Sequence, residues 1–140
     1  MTREALAHGA ASLTDVLTAQ REAYRALVSL AREEQEAIVA ADVSQLTELL
    51  DQKEMLLDHL RAMETERMTA LVAIEAATGL SVDSMTLSDV AAHLPTAAAE
   101  SLDRIGRELR AEAVALEEVH AANEQLLMSS RSLIDRWVHY

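Results

Sequence analysis

The chain has 140 residues, of which 26 are Ala and 21 Leu, against three Gly, one Pro and no Phe. Strong helix formers dominate and the aromatics are only Tyr24, Trp137 and Tyr140, so a sheet-based domain is excluded and an all-α chain is expected. A formal net charge of −12 argues against nucleic acid or an anionic membrane surface as partners, because both demand a basic face.

The first ten or so residues carry a weak pattern. From Leu13, apolar residues recur at Val16, Leu17, Tyr24, Leu27, Leu30, Ala31, Ala37 and Ile38, a three-to-four spacing that predicts a helix over about 12–41. Asp42 followed by Gln45 fits a capping box and opens a second helix over about 43–78. Its stripe runs through Leu46, Leu49, Leu50, Leu56, Leu57, Leu60, Met63, Leu71 and Ile74 and stops at Gly79. Thr86-x-x-Asp89 caps a short connector helix over about 87–94, which Pro95 ends. A third long helix over about 96–138 carries Leu102, Ile105, Leu109, Leu116, Val119, Leu126, Leu127, Leu133, Ile134 and Trp137. The expected architecture is a single domain over 1–140: an elongated antiparallel helical hairpin plus a long third helix, a coiled-coil-like three-helix bundle.

Three polar residues interrupt these stripes. Glu34 has Leu30, Ala31, Ala37 and Ile38 as helix neighbours, and Lys53, the only lysine, has Leu49, Leu50, Leu56 and Leu57. Neither has an opposite charge at helical spacing, but a chain reversal at Asp42 brings them level, as it does Gln20 and Arg67. The pair reads as a structural register device, since a wrong register leaves each charge unpaired in apolar surroundings. A charged contact to a ligand or partner is the other reading. Asn123 lies among Val119, His120, Leu126 and Leu127, and fits either a register role or a binding role. If helices 2 and 3 pack antiparallel from Thr96, Ile134 and Trp137 overhang the bundle. An apolar stripe with a Trp and no intramolecular partner reads as a surface for a partner helix.

Catalytic parts are missing from the sequence. There is no Cys, no Gly-rich phosphate loop and no nucleophile, base and acid set, so no catalytic residue and no enzyme activity is expected. Glu117-x-x-His120 has the spacing of a di-iron ligand pair but occurs once, so no metal and no cofactor is expected; His8, His59, His93 and His139 are scattered. No stretch has the apolar core of a secretory signal or approaches ~18 uninterrupted apolar residues, so no membrane insertion and a cytoplasmic location are expected.

The stretch Glu36-Ala37-Ile38-x-x-x-Asp42-x-x-x-Leu46-x-x-Leu49-Leu50-x-x-Lys53-Glu54-x-Leu56-Leu57-x-x-Leu60 resembles the turn and second helix of the FlgN-type flagellar export chaperones. The segment Val119-x-x-x-Asn123-x-x-Leu126-Leu127-x-x-Ser130-x-x-Leu133-Ile134 resembles that family's closing motif, and Thr86-Leu87-x-x-Val90 its short middle helix. The resemblance implies a cytoplasmic bacterial chaperone that binds the helical end of hook–filament junction (hook-associated) proteins. The same resemblance implies that such a chaperone prevents their premature assembly and delivers them to the flagellar export apparatus. It also implies client binding through Asn123, Leu126, Leu127, Leu133 and Ile134, to which the stripe argument adds Trp137. The alternative is a structural coiled-coil or adaptor protein that self-associates through helix 3 as a homodimer.

Overall fold

A computed structural model of the chain describes the backbone from residue 2 to residue 138 and the side chains from residue 3 to residue 131. Four helices follow in order: α1 (Thr2–Ala40), α2 (Val43–Thr78), α3 (Leu87–Ala91) and α4 (Thr96–Val138). The fold is the all-α bundle that composition and periodicity predict.

The turn between α1 and α2 is made by hydrogen bonding in place of a glycine. Ala41 takes a left-handed φ of 54°, its N–H donates to the Ile38 carbonyl (3.1 Å), and the Asp42 N–H donates to that of Ala37 (2.9 Å). Those two bonds form the helix stop in which the left-handed residue is usually Gly. Asp42 then caps α2 by accepting from the Gln45 N–H at 3.0 Å. The reciprocal half of the expected capping box is absent because Ala37 already holds the Asp42 N–H.

α1 begins at Thr2, ten residues earlier than the periodicity indicates. Its early contacts are made by small residues: Gly9 and Ala10 are buried, and a Cβ on Gly9 would stand 3.1 Å from Ile74 Cγ1. Close packing on the end of α2 therefore continues the helix where no large apolar side chain announces it. α3 has both halves of its capping box, with the Asp89 N–H donating to Thr86 Oγ1 (3.1 Å) and the Thr86 N–H to Asp89 Oδ2 (2.9 Å). It ends at Ala91, short of Leu94, because the residue before Pro95 is disfavoured in the helical region. The Pro95 carbonyl in turn accepts from the Ala99 N–H and starts α4.

α1 is the central helix. α2 packs along it antiparallel and α4 parallel, while the α2 and α4 backbones scarcely approach each other. The larger core lies at the base, where α2 ends and α4 begins, and joins Leu13, Leu17, Met63, Leu71, Ile74, Val90, Leu102 and Ile105. Each such side chain removed from water contributes ~1.5–3 kcal/mol. A second, smaller core lies towards the Asp42 turn, the tip, and consists of Leu30, Ala37 and Leu49 with Leu46 and Leu56. Among the described residues it contains nothing from α4.

Candidate functional site

α4 is attached to α1 by three unlike segments. At the base, Leu102 and Ile105 enter the main core. One turn further, Arg21 pairs with Glu108, and Arg25 Nε donates to Glu112 at 3.0 Å. Glu22 Oε1 lies 3.0 Å from both guanidinium groups and holds the two arginines together. The Glu108 hydrogen bond raises the Arg21 pKa above its ordinary value against the opposing cost of desolvation, with help from Glu22. Two arginines one turn apart meeting two glutamates one turn apart, in the same chain direction, specify a parallel register. Partly exposed pairs of this kind add little stability each. Sequence reasoning missed them because such residues at four-residue spacing read equally well as solvated helix faces.

Beyond Glu112 the seam becomes thin. Asn123 is buried and its Nδ2 donates to the Ala31 carbonyl of α1 at 2.9 Å. Its Oδ1, and Nε2 of His120 one turn before, are buried without a hydrogen-bond partner. Polar atoms stand here where apolar ones line the base, so less apolar surface holds this stretch of α4 on α1. Leu116, Val119 and Leu126 are only half-buried; Leu127 and Met128 are 52% and 63% exposed. Nine residues of α1 follow Ala31 and fifteen of α4 follow Asn123, so the α4 backbone outruns its support by about six residues, ~9 Å. The expectations for the side chains of Leu133, Ile134, Trp137 and His139 lie outside the described residues.

Lys53 Nζ lies 3.7 Å from Glu34 Oε1, with the two side chains 25% and 17% exposed. Gln20 and Arg67 meet through a third residue: Gln20 Nε2 donates to Glu64 Oε2 (3.1 Å) and Arg67 Nε to Glu64 Oε1 (3.0 Å). The Arg67 guanidinium, helped by Gln20, holds the Glu64 carboxyl below its ordinary pKa although partial burial opposes the shift. These groups border an open cleft of about 410 Å³ between α2 and α4, floored by Leu13, Leu17 and Tyr24 of α1. The connector closes the base end of this cleft with Leu87 and Val90. Gly106 admits Leu87, whose side chain occupies the space a Cβ there would need. Gly106 is a second position that sequence reasoning missed; a lone Gly inside a helical pattern is its only signal.

Among the described residues no three His, Cys, Asp or Glu side chains cluster as metal ligands, and Glu117 and His120 find no third partner. No described helix is long and apolar enough to cross a membrane.

A family model described as FlgN protein matches residues 1–139. The chain belongs to the FlgN family. FlgN proteins are flagellar export chaperones, which accords with a helical bundle that exposes apolar side chains. No curated protein and no solved structure matches the chain. Of the positions that match the FlgN closing motif, Asn123 faces α1, Leu126 is half-buried at the seam and Leu127 is open to solvent. The FlgN-type turn and second helix form the tip core through Ala37, Leu46, Leu49 and Leu56 and the Glu34–Lys53 ion pair.

Proposed function

We propose that the protein is a cytoplasmic export chaperone, without catalytic activity, for hook–filament junction proteins. It binds the amphipathic helical end of its client, prevents premature assembly, and delivers the client to the flagellar export apparatus. The observation that supports this reading is the distal half of α4: Leu126, Leu127 and Met128 present apolar surface on a helix that the tip core does not use. Asn123, Leu126, Leu127, Leu133, Ile134 and Trp137 are the proposed client contacts, and the client helix lays its apolar side against them. Asn123 donates to the Ala31 carbonyl, so its share of binding requires that this end of α4 shift away from α1.

Co-expression with a junction protein tests the reading. The variant carrying Leu126→Ser and Leu133→Ser is expected to lose co-purification while keeping the helical circular dichroism. Retained binding would refute the assignment to α4. Light scattering separates the self-associating alternative: a tight dimer through α4 that is insensitive to dilution and to client favours a structural coiled-coil protein.

A further inference from the structure

The cleft between α2 and α4 does not stop at its enclosed base. On α2, Glu64 and Leu71 line it, and stepping back by heptads from Glu64 gives Leu57, Leu50 and Val43 on the same helix face. Leu57 is half-buried, and Leu50 and Val43 are 53% and 73% exposed. On α4, Gly106 and Ala113 line the cleft, and the same steps forward give His120 and Leu127. An apolar wall of α2 and a wall of α4 made by His120 and Leu127 therefore continue to the tip, separated because α2 and α4 flank α1 and their backbones scarcely approach. The floor continues from Gln20 and Tyr24 to Ala31 and the Glu34–Lys53 pair.

At the base, the fourth side of this trough is filled by the connector, with Val90 wholly buried and Leu87 seated on Gly106. At the tip, no described element fills it. We infer that the trough between α2 and α4 seats a basic amphipathic helix of the client, which completes a four-helix bundle against Val43, Leu50 and Leu57 as well as Leu127. This inference rests on the client-binding reading above and adds α2 as a second wall. From Ala113 to Leu127 the open part is ~21 Å long, room for about fourteen helical residues.

Charge selects the occupant. Between Val43 and His59, α2 carries Glu48, Asp51, Glu54 and Asp58, and its one base, Lys53, is engaged by Glu34. From Ala113 to Leu127, α4 carries Glu117, Glu118 and Glu124 and neither Lys nor Arg. A second copy of this chain would bring the same acidic margins and be repelled, whereas a helix with Lys or Arg beside its apolar stripe is complementary. α3 blocks the base, so the client helix enters from the tip.

The chain has no native cysteine, so single-cysteine variants report position cleanly. Leu50→Cys, Leu127→Cys and Met55→Cys would each be mixed, as the full chain, with a peptide of a junction protein's helical end carrying one cysteine in its apolar stripe, with oxidised glutathione as the two-electron oxidant. Met55 is 74% exposed and, five residues after Leu50, stands about 140° round the helix from it. Leu50→Cys and Leu127→Cys are expected to form the mixed disulfide, and Met55→Cys is not. Leu50→Glu, at a solvent-exposed position, is expected to weaken peptide binding about tenfold with the helical spectrum unchanged. Cross-linking at Leu127→Cys alone would overturn the trough and leave client binding by α4 standing. Cross-linking at neither position would overturn both readings. Leu50→Cys linking only to a second copy of the chain would assign the trough to self-association.

Discussion

Lys53 and Glu34 form an ion pair across the α1–α2 hairpin at 3.7 Å, each set among leucines and aliphatic residues of its own helix. Lys53→Leu leaves the Glu34 carboxylate one-quarter or less exposed and without its partner. It is expected to cost about 1–2 kcal/mol in urea unfolding, while the double replacement of both residues by Leu costs less than the single one. Equal losses would mean that the pair does not set the register.

Ala41 closes α1 in the left-handed region, where a Cβ is unfavourable by ~1–2 kcal/mol. Ala41→Gly keeps the Ile38 and Ala37 hydrogen bonds and removes that cost. The midpoint of urea unfolding should rise by an amount equivalent to about 1 kcal/mol, less the added flexibility of the unfolded chain.

Gly106→Ala sets two effects against each other. In an exposed helix interior this change stabilises by up to ~1 kcal/mol, whereas here the methyl group must push aside Leu87 Cδ1, the end of a flexible side chain. The net change in stability should stay within about 1 kcal/mol, with the cost falling on α3. Hydrogen exchange should show the Val90 amide losing protection before the amides of α1.

Asn123→Leu removes one hydrogen bond to Ala31 and also the buried, unpaired Oδ1. Because these effects oppose each other, stability should change by less than about 1 kcal/mol. A loss above ~2 kcal/mol in chemical unfolding would show that the single bond dominates the distal seam.

Glu64 contributes a defined pH dependence. Its carboxyl lies below the ordinary value of 4.5 in the folded chain, so its stabilising share is present above the unfolded value and is lost as pH falls through the folded one. Acid also relieves the self-repulsion of a chain with net charge −12, which acts in the other direction. The stability difference between the native chain and Glu64→Gln isolates the carboxyl. It should shrink between pH 6 and pH 3, and a constant difference would mean that Arg67 and Gln20 favour neither protonation state.

Much of the fold was legible because large side chains at helical spacing encode α2, most of α4 and the second half of α1. The start of α1 was not, since its packing depends on Gly9 and Ala10, which carry no hydropathic signal. At the candidate site, Lys53 and Glu34 stood out as charges inside apolar stripes. Arg21, Arg25, Glu108 and Glu112 did not, because ion pairs between helices have no sequence period.

The sequence by itself determined an all-helical, acidic chain with a turn at Asp42 and an apolar distal stripe on its last helix, because these are properties of local spacing and composition. Only the tertiary structure decided that α1 is central, that α2 and α4 stand apart, and that α3 closes one end of the trough between them. Those relations depend on which faces meet across tens of residues, and on the space that Gly106 leaves for Leu87.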